Sequence, residues 1–160
     1  MPTHYSRTQI ALHWAVFILI AFQFLANEPM SEAWEALRKG GDYGFSPLVA
    51  GHVVAGGAVA VFALWRLGLR LKRGVPPLPD KEPPMMQLAA HVTHWSLYAL
   101  MLVVPFSGSM AWFGGVKPAA EAHEVLKTVL LLLVILHVAG ALYHQFVLKT
   151  NLMQRMKKAG

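Results

Sequence analysis

The stretch at residues 122–148 reads AHEVLKTVLLLLVILHVAGALYHQFVL, which is almost entirely apolar. A helix needs about 20 such residues to cross the roughly 30 Å of hydrocarbon in a bilayer. Three further runs of similar character lie at residues 8–26, 47–65 and 86–106. A membrane helix satisfies its own backbone hydrogen bonds, and no strand-length alternation recurs. The sequence therefore predicts an all-α membrane protein, a bundle of four transmembrane helices that forms one domain over residues 1–160.

The composition excludes the common soluble classes. Of the 160 residues, 56% are hydrophobic and only 14% are charged, whereas a soluble domain has about 25% charged residues. A chain of this length has no interior large enough to bury so much apolar surface, and disorder requires the opposite composition. The absence of cysteine excludes disulfides, iron–sulfur clusters, thiolate zinc sites and covalently attached c-type haem.

The distribution of charge predicts the orientation of the four helices. The N-terminus, the segment after the second run and the C-terminal tail carry ten basic residues against Asp80 and Glu82. The ten are Arg7, Arg66, Arg70, Lys72, Arg73, Lys81, Lys149, Arg155, Lys157 and Lys158. On the opposite side, four basic residues stand against six acidic ones. Because loops rich in Lys and Arg stay in the cytoplasm, both termini are predicted to be cytoplasmic, and the basic tail to meet anionic lipid rather than nucleic acid.

Seven of the eight histidines lie inside the apolar runs or at their ends. They are His13, His52, His91, His94, His123, His137 and His144. An imidazole in hydrocarbon is costly without a partner, so such a residue is a functional candidate by default. A zinc ion would need three or four converging ligands, and no acidic residue lies in the middle of any run. Haem is favoured, because it needs one axial histidine on each face and small residues near the macrocycle, such as Gly51 and Gly56 beside His52.

The spacing of the histidines predicts two haem sites at different depths. His123 and His137 are 14 residues apart, which corresponds to about 21 Å along a helix and about 40° from the same face. His52 lies at the depth of His123 toward the outer side, and His13 lies on the inner side. The predicted pairs are therefore His52 with His123, and His13 with His137.

The inner pair has two alternatives that spacing leaves open. His144 follows His137 by seven residues on nearly the same helix face, and its depth matches that of His13. The segments QIALHW at 9–14 and HVTHW at 91–95 are also similar, so His94 is a symmetric counterpart of His13. From spacing alone, His137, His144 and His94 all remain candidates.

Four motifs together resemble the bacterial cytochrome b561 family. They are YSRTQIALHW at 5–14, the Gly-His start of the second run, HVTHW at 91–95 and HVAGALYHQF at 137–146. Members of that family are four-helix proteins of the bacterial inner membrane that carry two b haems, and some are superoxide:ubiquinone oxidoreductases. The resemblance covers nearly the whole chain. It implies two haem b groups whose iron ligands are His13, His52, His123 and His137.

The resemblance also implies a direction of electron flow. Superoxide, or another outer donor, would be oxidised at the outer haem, and ubiquinone would be reduced at the inner haem with protons from the cytoplasm. Lys127, one turn after His123, is the candidate for guiding the superoxide anion, with Lys117 as a second local cation. Candidates for contact with a quinone or a haem propionate lie near the inner side: His94, His91, His144, Arg7 and Tyr5.

Two other functional classes compete with this interpretation. One is a cytochrome b subunit that conducts electrons in a hydrogenase or formate dehydrogenase complex, although those proteins tend to be longer and to carry a docking surface. The other is a haem-free metal or proton transporter lined by histidines, against which the lack of mid-membrane Asp and Glu argues.

The segment that joins the third and fourth runs, at about residues 107–122, is short, which leaves the identity of the outer donor open.

Overall fold

The computed structural model describes residues 4–77 and 82–159 of the chain. These residues form five α-helices and one short 3₁₀-helix, with no β-strand among them. The helices are α1 (Arg7–Leu25), α2 (Asn27–Arg38), α3 (Pro47–Arg73), α4 (Pro84–Gly114) and α5 (Lys117–Phe146), and the 3₁₀-helix is Leu152–Met156. In length and composition, α1, α3, α4 and α5 are each able to cross a membrane, which confirms the predicted four-helix membrane fold.

Short-range sequence signals set where the helices begin. Ser6 Oγ accepts a hydrogen bond from the Gln9 backbone N–H at 3.2 Å, and Gln9 Oε1 accepts from the Ser6 N–H at 2.9 Å. This reciprocal cap satisfies two donors that have no partner inside α1. Ser46 caps α3 by accepting from the Val49 N–H at 3.4 Å, and Pro47 follows at the position where a missing N–H costs nothing.

Two helices continue well beyond the C-terminal ends that the apolar runs predict. α3 continues beyond residue 65 to Arg73, because long basic side chains can stay on a helix while their charges reach the membrane surface. It ends at Gly74, whose φ of +77° suits a residue without a side chain. α4 passes through Pro105, where the sequence predicts a kink or an end, and continues to Gly114. A proline removes one helical hydrogen bond, and neighbouring groups in a membrane bundle compensate for that loss.

The connection between α4 and α5 is a two-residue turn. The joining segment expected at about residues 107–122 is mostly helical, because α4 continues to Gly114 and α5 begins at Lys117. Gly115 has a φ of +65°, in the left-handed region, and its N–H donates to Ala111 O at 2.9 Å. So tight a turn makes α4 and α5 antiparallel neighbours.

The helix α2 is an element that the apolar pattern does not predict. Residues 27–46 are expected to be a polar connection, whereas Asn27–Arg38 is helical in the structure. Its polar and apolar residues lie on opposite faces, with Ala33 buried and Glu28 and Glu32 exposed. Twelve residues are too few to span a bilayer, so α2 covers one end of the bundle instead.

The bundle has two ends, which we name by the elements that lie there. The outer end holds α2 and the first turns of α3 and α5, and the inner end holds the first turns of α1 and α4 and the 3₁₀-helix. Trp14 Nε1 donates to Met156 O at 2.8 Å, so the start of α1 and the C-terminal segment lie together. The cytoplasmic position of the inner end stays a prediction from charge, and two residues that contribute to it, Asp80 and Lys81, lie outside the described residues.

The core is a narrow column between the four long helices. It consists of Val16, Ile20, Val59, Ala63, Tyr98, Met101, Val104 and Leu130. Many large apolar side chains, such as Leu132 and Ile135 on α5, stay exposed on the outside of the bundle. Lipid tails are as apolar as these side chains, so the fold needs no further burial of them.

Candidate functional site

Two imidazole rings face each other near the outer end. His52 comes from α3 and His123 from α5, and their ring centres are 6.4 Å apart with an angle of 64° between the planes. His123 Nδ1 lies 2.9 Å from Val104 O. Because a carbonyl oxygen only accepts, Nδ1 carries the proton and Nε2 keeps its lone pair. A ring nitrogen held in this way is ready to bind a metal.

The neighbouring turn of α4 is built around the ring of His123. Ser107 Oγ lies 3.4 Å from His123 Nδ1 and donates its own hydrogen bond to Val104 O at 2.8 Å. At Gly108, a Cβ atom would lie 3.0 Å from both Cε1 and Nδ1 of the imidazole. The glycine therefore leaves the space that the ring of His123 occupies.

A cavity of about 360 Å³ adjoins the outer pair. Its lining includes one face of α2, with Asn27, Met30 and Trp34 at helical spacing. Gln23 Nε2 donates to His52 O at 3.0 Å, but Gln23 Oε1 and His52 Nδ1 are buried and have no hydrogen-bond partner among the described residues. Buried polar atoms without partners are costly, so this cavity fits a bound group that contributes polar contacts.

A second cluster of imidazoles lies toward the inner end. His13 of α1 and His137 of α5 have ring centres 6.2 Å apart, with an interplanar angle of 67°. His94 of α4 is closer to His137, at 5.1 Å. The structure thus brings together three of the histidines that the sequence analysis considers for the inner site.

The two separations of more than 6 Å fit a metal between imidazoles. An iron midway between two rings, bonded to one nitrogen of each at about 2 Å, holds the ring centres about 6 Å apart. The distance between His13 and His137 and that between His52 and His123 both match this value. The 5.1 Å between His94 and His137 is too short for an intervening metal and is an edge-to-face ring contact.

His144 is engaged elsewhere. Its Nε2 lies 3.0 Å from Glu82 Oε1, and its Nδ1 lies 3.1 Å from Thr150 Oγ1. The Glu82 side chain is only 2% exposed, so this pair is buried at the inner end. Since both ring nitrogens have partners, the structure separates His144 from the inner imidazole cluster.

The remaining inner candidates lie nearer the surface. His91 is exposed on α4, and Arg7 is exposed at the start of α1. Tyr5 is half-buried, and burial raises the pKa of its phenol, an effect that the charges of Arg70 and Arg155 partly oppose. Tyr5 interacts electrostatically with Arg66 and Arg70, and His91 interacts with His94.

Arg66 is an inner residue that the sequence analysis does not single out. It lies on α3, and its Nε and Nη1 atoms are buried without a hydrogen-bond partner among the described residues. Its charge acts on the imidazoles of His13, His94 and His137. A signal was present in the sequence, because Arg66 follows His52 by the same 14 residues that separate His123 from His137.

Lys127 lies at the margin of the outer cavity. Its ammonium forms an ion pair with Glu124 at 2.7 Å and donates to Asn27 Oδ1 at the start of α2. The side chain is 18% exposed, and the carboxylate of Glu124 neutralises part of its charge. Lys117, the second outer cation considered, is exposed at the first position of α5.

The described residues contain no alternative metal site. Across 4–77 and 82–159, no group of three or more His, Asp or Glu side chains is placed to hold a metal ion. Zinc sites in proteins use three or four such ligands. Imidazoles arranged in pairs fit a metal-containing group that itself supplies the other ligands of its metal ion.

Comparison with known proteins agrees with this geometry. A family model described as "Prokaryotic cytochrome b561" matches residues 4–159. The chain is 38% identical over 157 residues to "Cytochrome b562" of Cereibacter sphaeroides, with 96% of this chain and 95% of the relative covered. It is 30% identical over 189 aligned positions to "Probable superoxide oxidase CybB" of Yersinia pestis, with both chains covered in full. It is 27% identical to "Cytochrome b561 homolog 1" of Escherichia coli K12, over 95% of this chain and 96% of the relative. The chain therefore belongs to the prokaryotic cytochrome b561 family, multi-pass inner-membrane cytochromes with haem b as their cofactor.

Proposed function

We propose that this protein carries electrons across the membrane between two haem b groups, one at each imidazole pair. It would oxidise superoxide at the outer, periplasmic end and reduce ubiquinone at the inner, cytoplasmic end. The observation that carries the proposal is the presence of two facing imidazole pairs, each with ring centres about 6 Å apart, that share α5. The resemblance to a relative named as a superoxide oxidase supports the choice of donor.

The proposed ligands are His52 and His123 for the outer haem and His13 and His137 for the inner haem. When bound, the haems would supply one-electron redox chemistry. With two imidazoles held for each iron, the residues would leave superoxide and quinone to bind against the protein beside the haem rather than to the metal. The protein's task is then to orient the rings and to shape the two access routes.

His123 is oriented by its own surroundings. The bond from Nδ1 to Val104 O fixes the tautomer, and the space at Gly108 fixes the plane of the ring. A histidine held by a backbone carbonyl is also more basic toward a metal. These contacts favour a ligand role for Nε2 over a purely structural role for the ring.

The overall reaction has a simple balance. Two superoxide anions each lose one electron and leave as oxygen, and one ubiquinone takes up the two electrons with two protons from the cytoplasmic side. At the outer end, Lys127 would attract the anion, although Glu124 limits the reach of its charge. At the inner end, we propose His94 and Tyr5 as contacts for the quinone or a propionate. His94 lies in the inner cluster, and Tyr5 interacts with Arg66 and Arg70, which also act on His94.

The experiment is a reduced-minus-oxidised spectrum of the purified protein with a pyridine haemochrome assay, followed by superoxide-driven quinone reduction. We expect two low-spin b haems per chain, and one fewer after alanine replacement of any proposed ligand: His13, His52, His123 or His137. Leu88→Ala, at an exposed position on α4 outside both candidate sites, is the control and should keep both. A colourless protein would overturn the proposal in favour of a transporter. Quinone reduction that requires a co-purifying dehydrogenase would replace superoxide with a partner protein as donor.

A further inference from the structure

Arg66 occupies a regular position on α3 relative to the outer pair. It follows His52 by 14 residues, which is about 21 Å along the helix and about 40° from the same face. Since α3 and α5 both run from the outer to the inner end, Arg66 lies on the face that carries His52 and at the depth of His137. The position places a fixed positive charge next to the inner imidazole cluster.

Arg66 forms no ion pair with any carboxylate among residues 4–77 and 82–159. Nε and Nη1 are buried and make no hydrogen bond within the described part of the chain. Among the described residues, the one buried carboxylate at this end is that of Glu82, which contacts His144. The groups on which the charge of Arg66 acts include the imidazoles of His13, His94 and His137 and the phenol of Tyr5. Buried cationic nitrogens without partners are unfavourable in a membrane, so these two atoms point to an anion that is not among the described residues.

The shape of the guanidinium selects the kind of anion. Its nitrogen donors form a planar fork that matches a carboxylate or a phosphate, and the match gives two parallel hydrogen bonds. At the inner end, the available anions are a propionate of the inner haem and the phosphate of a lipid. The orphaned nitrogens are buried within the bundle, and the charge of Arg66 acts on three imidazoles of the inner cluster, which favours the propionate.

We propose that Arg66 binds a propionate of the inner haem, an inference that rests on the proposed function. The cation would both hold the haem and disfavour the extra positive charge of the oxidised iron. Removal of the charge should therefore lower the midpoint potential of the inner haem and leave the outer haem, about 21 Å away along the helices, unchanged.

The test is a spectroelectrochemical titration of the intact protein and of Arg66→Gln, Arg66→Met and Arg66→Lys. For the two uncharged variants, we expect the midpoint of one haem to fall by at least the ~59 mV that corresponds to a tenfold change in the ratio of reduced to oxidised haem. Arg66→Lys should recover more than half of that shift. If an uncharged variant loses one haem and keeps the other with an unchanged potential, the result also supports the contact.

The matched control is Arg70→Gln, one helical turn further along α3. Its guanidinium lies over the rings of Trp95 and Tyr98, at 5.4 Å and 5.9 Å from their centres, so it already has partners. We expect less than half of the Arg66 shift.

Unchanged potentials in both Arg66→Gln and Arg66→Met, or an equal shift in Arg70→Gln, would overturn the assignment. A dependence of the shift on anionic lipid in the detergent mixture would replace the propionate with a lipid phosphate. Fewer than two haems in the unmodified protein would instead contradict the proposed function itself.

Discussion

The ring of His123 fills the space that a side chain at Gly108 would need, since a Cβ there would lie 3.0 Å from two ring atoms. The two residues come from adjacent helices that a two-residue turn holds together. Any residue larger than glycine at position 108 must therefore displace the imidazole or separate α4 from α5.

We predict that Gly108→Val removes one of two haems per chain and that Gly108→Ala retains it with a shifted midpoint potential. The physical reason is the loss of the position of His123 relative to His52, and the measurement is the haemochrome assay with a redox titration. Gly68→Ala is the control, because a Cβ at that position meets no atom within 4 Å. Two normal haems in Gly108→Val would show that the outer ring is not a ligand.

The contrast between His13 and His94 gives a second prediction. His94→Ala should keep both haems, because its ring contacts that of His137 at 5.1 Å and leaves no room for a metal, whereas His13→Ala should lose one. Haem stoichiometry and the low-spin absorption bands distinguish the two variants. The opposite result would assign the inner pair to His94 and His137.

The buried contact between Glu82 and His144 predicts an effect on stability. Glu82→Ala leaves the buried imidazole without its partner, which costs about 1–3 kcal/mol. We expect a lower midpoint of thermal unfolding in detergent, with both haems still bound. Glu35→Ala removes the carboxylate of an exposed ion pair with Lys39 and should leave the unfolding temperature unchanged. Equal effects of the two changes would contradict the assignment.

Lys127 connects α5 to α2, and this contact predicts a change in dynamics. Lys127→Ala removes the hydrogen bond to Asn27 Oδ1, so the amides of α2 should exchange their hydrogens faster. Hydrogen–deuterium exchange of the peptide that covers residues 27–38 measures the effect. Lys117→Ala, at an exposed position, is the control for loss of an outer positive charge. If superoxide oxidation slows in Lys127→Ala while exchange is unchanged, guidance of the anion is its main role.

Tyr5 predicts a change at high pH. Burial raises the pKa of its phenol above the ordinary value of about 10, because the neutral form is favoured in the folded protein. The contribution of Tyr5 to stability is therefore complete below pH 10 and is lost as the pH rises through the raised pKa. The difference in tyrosinate absorbance between the intact protein and Tyr5→Phe should appear only above pH 10. An ordinary titration curve would show that the phenol is accessible to water.

The four long helices were predictable because the bilayer imposes a length on each apolar run. The same rule does not apply to α2, whose 12 residues alternate polar and apolar character and gain stability only from the bundle beneath them. The extension of α4 through Pro105 was also not predictable from the chain, because the compensation for the missing hydrogen bond comes from packing.

The candidate site was likewise predictable only in part. Helical spacing predicted that His52 lies near His123 and that His13 lies near His137, and the structure has both pairs in ring contact. Spacing alone made His144 as good a candidate for the inner pair as His137. The contact that engages His144 could not be predicted, because depth along a helix does not reveal a buried carboxylate such as Glu82 on a neighbouring segment. The buried position of Arg66 was not predicted, because this residue directly follows the predicted end of the second run, where a basic side chain is expected to lie at the surface.

Both imidazole pairs take one ring from α5, the last of the long helices to leave the ribosome. His13 and His52 are therefore synthesised before their partners, and neither pair is complete until α5 has been made. Under the proposed function, a chain that stops before α5 would have the helices α1 to α4 but neither imidazole pair with which to hold an iron.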